Sequence, residues 1–403
     1  MKFYELPPEK RRALLASQGL ELADLDSATL AKMDQLSENV VGRLSLPVGL
    51  VTNLVVNGQS YLVPMATEEP SVVAAANHGA SIFTQNGGTK VTSERQGIYG
   101  QIVLQAADDF ELADFEQSFP KLIEITNREF SSLVHHGGGV RQITARCEHE
   151  LVYLQVLVDP AQAMGANKVN SILEFMAEKL AIFPEIKAKL FAILSNYPSQ
   201  ISRVKVQLSV QSVGGKAVAQ QIALLSQIGE TDPMRGVTNN KGIMNGVDAV
   251  LQATGNDTRS VEAACGLWAS RHGQYRSLSS WRLEDDMLHG ELSLPLALGT
   301  VGGSIYARLD VQENYRMLGS SITSQQLAEV VVSIGLANNL AALLAIATTG
   351  IQAGHMKLQA RNIVATLSAN DTEKQQVLSL MKQDQNYTQA AAQKYLIEIR
   401  KAK

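Results

Sequence analysis

"GIYGQIVLQ", residues 97–105, opens the stretch whose reading decides the fold. It reads as a strand, and the segments that follow alternate in kind. "FEQSFPKLIEITNREFSSLV" (115–134) has the pattern of a helix, and "VRQITARC" (140–147) with "ELVYLQVLVD" (150–159) reads as a strand pair. "AMGANKVNSILEFMAEKL" (163–180) is a second helix and "SRVKVQLSV" (202–210) a last strand. The order β-α-β-β-α-β is the split βαβ, ferredoxin-like arrangement. It predicts an α+β protein. A small domain over 96–210 is inserted into a large mixed helical and sheet domain built from 1–95 and 211–349, and a helical C-terminal piece covers 350–403.

The flanking segments support a large domain. "VNGQ" at 56–59 lies between apolar runs, and Asn-Gly in that setting signals a hairpin. "EEPSVVAAANHGASIF" reads as a helix with Pro70 at its first position. "VVVSIGLANNLAALLAIATTG" (330–350) carries no charge and imitates a membrane span, but it is solitary and holds Asn338 and Asn339 at its centre. A buried core helix is the better reading. Beyond residue 369 the chain is charged and helical in pattern, as a C-terminal flap would be.

Composition excludes several classes. The 403 residues are 45% hydrophobic and 18% charged with net charge −4, and no basic block forms a nucleic-acid footprint. The N-terminus has no signal-peptide core, so a cytoplasmic protein with no membrane segment is expected. Cys147 and Cys265 sit in no metal or CxxC spacing, which points to a reducing compartment and no metal. "CEHEL" (147–151) lacks the second histidine of a zinc helix, and "HHGGG" (135–139) reads as a turn. Neither G-x-G-x-x-G after a strand, nor a P-loop, nor G-x-S-x-G is present.

The chemistry-bearing residues concentrate in a few places. "TNNKGIMNGVDAVLQATGNDTRS" (238–260) sets Lys241 among asparagines and glycines. Taken alone, Lys241 is a solvated loop lysine, and Asp257 is an N-cap for the helix that follows. Together, Gly242, Gly246 and Gly255 with the amides of Asn239, Asn240, Asn245 and Asn256 suit a loop that holds a small polar ligand beside a lysine. "QAMGANKVN" (162–170) opens a helix with free N–H groups, a place for a pyrophosphate or carboxylate, though close packing through Ala and Gly explains it equally well. Glu68 and Glu69 precede a helix, where charge–dipole placement explains one of them. His355, between Gly354 and Met356, suits a proton donor on a closing segment; a packed or capping histidine is the alternative.

Six motifs taken in order, "ENVVGRLSLPVGL", "VPMATEEPSVVAAANHGA", "AMGANKVN", "NNKGIMNG", "ATGNDTRSVEA" and "GIQAGHMKLQARN", resemble 3-hydroxy-3-methylglutaryl-coenzyme A (HMG-CoA) reductases, specifically the soluble prokaryotic class II form. The resemblance spans nearly the whole chain. It implies reduction of the HMG-CoA thioester to mevalonate and free coenzyme A with two NAD(P)H. It assigns catalysis to Glu69, Lys241, Asp257 and His355, with Asp257 positioning the lysine and balancing its charge. Ser71, Arg235 and Asn245 would contact the hydroxymethylglutaryl group, and Phe130, Met164, Gly165, Ala166, Asn167 and Asn196 the dinucleotide. The implied assembly is a homodimer, or an oligomer built from dimers, with shared active sites. A lysine Schiff-base aldolase and a non-catalytic coenzyme A ester-binding protein are the other classes that fit these residues.

Three departures stand out. Gln162 replaces the acidic residue that usually opens the "DAMGAN" motif, and Asn338 stands where glutamine is commoner. Phe130 occupies the place of an aspartate that suits the ribose hydroxyls in NAD-using members. Loss of that carboxylate removes repulsion of a 2′-phosphate, so NADPH is expected to be preferred, with NADH possible. Glu129 adjoins that position, and Arg128, Arg141 and Lys168 are the neighbouring cations.

Overall fold

The computed structural model describes residues 2–348, 350, 360–361 and 363–401. The chain divides into two compact units, Met1–Pro47 and Val48–Lys403. The first holds α1 (Pro8–Ser17) and α2 (Ser27–Asp34), the latter started by Asp26, whose carboxylate accepts from the Thr29 N–H at 2.8 Å. Arg11 is buried within this unit. Its guanidinium donates to the carbonyls of Phe3, Tyr4 and Val40 and pairs with Asp34.

The second unit begins with the hairpin β1 (Val48–Val56) and β2 (Gln59–Ala66), turned at Asn57 (φ 50°) and Gly58 (φ 84°). Both turn residues are left-handed, as a two-residue hairpin loop requires. Helix α3 (Val72–Gln85) follows. Pro70 is not its first residue: Ser71 intervenes at the N-cap with φ 81°, so the chain turns sharply between proline and helix.

The four-stranded small sheet has the order β5-β6-β4-β7, all antiparallel, with β4 Ile98–Ala106, β5 Gly139–Glu148, β6 Leu151–Asp159 and β7 Ile186–Leu194. Between β4 and β5 the expected single helix is three, α4 (Leu112–Glu116), α5 (Phe119–Glu129) and α6 (Ser131–His135); α7 (Ala166–Leu180) lies between β6 and β7. The ferredoxin-like order is therefore present, but its fourth strand is not 202–210. That segment, β8 (Ile201–Ser209), pairs with β3 (Lys90–Ser93) and β10 (Met287–Pro295) in a second sheet of order β3-β8-β10-β9, where β9 is Ser279–Glu284. Both candidate strands are apolar enough. β8 alternates cleanly, burying Ser202, Val204, Val206 and Leu208, whereas β7 leaves Leu190, Phe191 and Ile193 exposed and so reads weakly. The boundary drawn at 210 falls one strand too late.

Helices α8 (Lys216–Thr231), α9 (Pro233–Ala253) and α10 (Thr258–Ala269) follow, then α11 (Gly303–Tyr306), α12 (Leu309–Leu318) and α13 (Ser324–Ala347); α8, α10 and α13 cover the large sheet, and α9 packs against β2, α8 and α13. Helix α13 is long and apolar enough to cross a membrane, yet 67% of its most apolar window is buried inside the protein. It packs against α3, α9, β3, β8 and β10 and is the core helix expected from its asparagines. Those asparagines have partners or a cleft to face. Asn339 accepts from Trp281 Nε1 at 2.8 Å and donates to Asn239 Oδ1 at 2.9 Å. At the C-terminus α14 (Asp371–Gln383) and α15 (Gln389–Lys401) close over a separate apolar cluster that includes Val377, Met381 and Tyr395.

Candidate active site

The stretch 238–253 is helix, not loop. Asp232 caps α9 by accepting from the Met234 N–H at 3.0 Å, and Pro233 takes the first helical position. Glycine and asparagine weaken a helix by up to about 1 kcal/mol each relative to alanine, which is why the composition suggests a loop. Tertiary contacts override it. Asn239 donates to Ser277 Oγ (2.7 Å) and Ser279 Oγ (3.1 Å). Asn240 donates to the Arg276 carbonyl (2.9 Å) and accepts from the Leu278 N–H (2.8 Å). Asn256 holds both backbone groups of Gly299. These three amides are buried structural ties. Asn239 also borders a cleft, but its amide is already spent; Asn245 lines that cleft with a side chain that has no hydrogen bond among the described residues.

That first cleft, of about 1020 Å³, lies where α3, α9 and α13 meet. Lys241 Nζ donates to Glu69 Oε2 at 2.8 Å across it, with both side chains open to solvent. Glu68 is exposed and forms no ion pair among the described residues. One turn along α9 from Lys241 comes Asn245, and a little over one and a half turns before it comes Arg235. Burial pushes the Arg235 guanidinium below its ordinary pKa, and no described residue hydrogen-bonds to it. Ser71 stands at the mouth in its left-handed conformation, its hydroxyl unused as a helix cap. A non-glycine residue held at positive φ costs about 1–3 kcal/mol and is characteristic of ligand sites.

Asn338 also faces this cleft, buried and with no partner for its Oδ1 among the described residues. A Cβ on Gly246 would come within 2.9 Å of Asn338 Cγ, so only glycine lets α9 approach α13 this closely. Thr238 lines the same wall, and nothing in the sequence marks it out. The visible signal for Asn338 is a pair of amides in an uncharged helix; which of the two faces a cleft depends on packing. The cleft thus gathers two cations, one carboxylate, and hydroxyl and amide groups without protein partners among the described residues. Such a set can hold a carboxylate and a hydroxyl while presenting an ammonium to a carbonyl oxygen.

A second cleft, of about 620 Å³, is lined by Met164, Ala166, Asn196, Tyr197, Asp257, Ser260 and Ala297 among others. Gly165 caps α7 at φ 96°, and a Cβ there would meet Pro160 Cβ at 2.4 Å. The preceding loop is stitched down. The Gln162 carbonyl accepts from the Thr300 N–H at 2.9 Å, and Gln162 Oε1 accepts from the Ser324 N–H at 2.8 Å. The amide at position 162 therefore serves the first turn of α13. Asn170 Oδ1 accepts from the Leu194 N–H (2.8 Å), which fixes the end of β7 beside Asn196.

Asn167 and Phe130 do not line this cleft. Asn167 is exposed in the first turn of α7, and Phe130 packs edge-on against Phe175 with centroids 5.8 Å apart. Lys168 Nζ stands 5.7 Å from the Phe130 ring. Of the neighbouring cations, Arg128 pairs with Glu124 and Arg141 with Asp159, whereas Lys168 has no ion pair among the described residues.

Asp257 is a genuine N-cap. It accepts from the N–H groups of Arg259 (3.0 Å) and Ser260 (3.3 Å) and from Arg259 Nε (3.1 Å). Burial works to raise its pKa, but the hydrogen bonds from Arg259 and Ser260 outweigh it and hold the carboxylate below its usual range. It does not meet Lys241 within one chain. The two face different clefts, and α9 between Lys241 and its end at Ala253 spans about 18 Å. His355 lies outside the described residues.

Residues 7–360 match the family described as hydroxymethylglutaryl-coenzyme A reductase. The chain is 37% identical over 394 residues to the 3-hydroxy-3-methylglutaryl-coenzyme A reductase of Archaeoglobus fulgidus, covering 95% of this chain and 87% of that protein. It is 36% identical over 411 residues to a probable reductase of Borreliella burgdorferi, covering 97% and 93%. Among solved structures, the Streptococcus pneumoniae reductase matches with TM-score 0.76 at 36% identity, covering 98% of this chain and 99% of that one. A class II structure from the same organism, bound to NADPH in open conformations, matches with TM-score 0.76 at 37% identity, covering 97% and 99%. With match and fold in agreement over nearly its whole length, the chain belongs to the hydroxymethylglutaryl-coenzyme A reductase family, class II.

Proposed function

We propose that the two clefts divide the four-electron reduction of HMG-CoA to mevalonate and coenzyme A between substrate and dinucleotide. The single observation that carries this is the Lys241–Glu69 pair at 2.8 Å in one cleft with Arg235, which has no hydrogen-bond partner among the described residues. In the first cleft Arg235 holds the free carboxylate of the substrate, with Ser71 and Asn245 on its polar groups. Lys241 stabilises negative charge as it develops on the thioester oxygen. The proton for the alkoxide of the second reduction passes from the Lys241 ammonium through Glu69, which is hydrogen-bonded to it. His355 protonates the departing thiolate, a poor leaving group otherwise.

The second cleft suits the dinucleotide. Met164 and Ala166 form an apolar wall, and the first turn of α7 offers free N–H groups to a pyrophosphate. NAD(P)H supplies hydride when bound. Lys168, the cation beside Phe130 with no ion pair among the described residues, supports a preference for NADPH through its 2′-phosphate. Dinucleotide oxidation followed by absorbance, with HMG-CoA and either cofactor, tests the whole reading. An aldolase would instead be trapped on Lys241 by borohydride, and a binding protein would take up the ester without turnover.

Hydride transfer requires Asp257 and Lys241 near one reacting carbon, yet one chain holds them apart. This supports a homodimer whose active sites each combine the first cleft of one chain with Asp257 of the other. Mixing subunits decides it. Lys241→Ala and Asp257→Asn are each expected to inactivate the enzyme. Co-refolded at equal amounts, random pairing into two-fold dimers restores about one quarter of wild-type activity, because half the dimers regain one intact site. If both residues act within one chain, no activity returns.

A further inference from the structure

We propose that Asp248 and Glu262 share one proton and thereby clamp α9, the helix of Lys241, to α10, the helix that Asp257 opens. Asp248 follows Lys241 and Asn245 on one face of α9, at the i, i+4, i+7 spacing. Glu262 lies on α10 five residues after Asp257. The Asp248 carboxyl is partly buried, and its Oδ1 is closed to solvent with no hydrogen-bond partner among the described residues. What faces it from α10 is a second carboxyl, Glu262, within hydrogen-bond reach, and the buried thiol of Cys265.

Among the described residues no cation offsets the pair. Lys241 is engaged by Glu69, Arg259 by Asp257, Lys216 by Asp286 and Arg282 by Glu230, and no described Lys, Arg or His forms an ion pair with Asp248 or Glu262. Two adjacent carboxylates in that setting repel, whereas one shared proton turns the contact into a charge-assisted hydrogen bond. Burial, reinforced by the Glu262 charge and its hydrogen bond, pushes Asp248 up to about 8. The two are thus positioning residues that fix α9 against α10, and through them the angle between the lysine and aspartate helices.

The pH dependence of this clamp has a definite sign. In the unfolded chain Asp248 titrates at about pH 3.9, the ordinary aspartate value. The folded protein therefore retains a proton, between about pH 4 and about pH 8, that the unfolded chain has lost. The stability this site contributes is complete below that window and is lost as the pH rises through it. Thermal unfolding from pH 5 to 9, for wild type, Asp248→Asn and Glu262→Gln, reads this out without any substrate. The amide introduced by Asp248→Asn donates to Glu262 at every pH, so the variant should gain on wild type progressively, by about 2–4 °C at pH 8. Glu262→Gln, at an exposed position, should shift the same way by removing the like charge. In kcat/KM, the wild type should fall off above pH 8 where Asp248→Asn does not. Melting profiles that run parallel across the window for wild type and Glu262→Gln overturn the clamp, whether or not Asp248→Asn folds. That result would leave the catalytic reading standing, since no turnover enters the measurement.

Discussion

The two clefts are built on opposite principles. Around Lys241 the walls are helices of the main core, and most of the asparagines that resemble ligand-holding groups are consumed in fixing those helices to β9 and the 276–278 turn. What remains available in the cleft is a sparse polar set: Lys241, Glu69, Arg235, Ser71, Asn245 and Asn338. Around Met164 the wall is largely apolar, with Asn196, Asp257 and Ser260 among its polar groups, and the start of α7 beside it is held by Gln162 and Asn170. On the reading proposed above, the first cleft would read charge through side chains, and the second would read shape and pyrophosphate mainly through main chain. Substitutions should therefore separate them cleanly.

The sharpest separation is expected at Lys241. Lys241→Met should lower kcat roughly 10²–10³-fold, the usual cost of deleting an electrostatic stabiliser of the transition state. Because this side chain is 61% exposed, melting should hardly change, and dinucleotide affinity measured by fluorescence should stay within roughly twofold, as for a distant site. Weakened dinucleotide binding would mean the clefts are not independent. Next comes Arg235→Ala, which should raise KM for HMG-CoA about 10–100-fold with a smaller change in kcat, since a charge-assisted contact to a carboxylate is worth about 1.5–3 kcal/mol. An unchanged KM would move the carboxylate contact elsewhere in the cleft.

The smallest effect should come from the second cleft. Lys168→Ala is expected to lower the NADPH-to-NADH ratio of kcat/KM about tenfold while leaving KM for HMG-CoA unaltered. Phe130→Asp should move the ratio further toward NADH, by restoring repulsion of the 2′-phosphate. A ratio that stays fixed in both variants would assign cofactor choice to Glu129 or to residues beyond this patch.

Much of this molecule is decided by local sequence. The Asn57-Gly58 hairpin, the cap at Asp257 and the core helix at 324–347 each follow from a few adjacent residues whose conformational or solvation preferences dominate. The order of motifs also identifies the family over residues 7–360. Other features are decided only by partners distant in the chain. Residues 238–253 form a helix because Ser277, Ser279, Arg276 and Leu278 satisfy the amides that would otherwise favour a loop. Residues 201–209 leave the small sheet because β3 and β10 offer an antiparallel register on both sides, while the weakly patterned 186–194 takes the edge beside β4. Lys241 and Asp257 take separate partners, Glu69 and Arg259, and α9 extends about 18 Å beyond the lysine, a separation that spacing in sequence does not reveal until the segment is known to be helical.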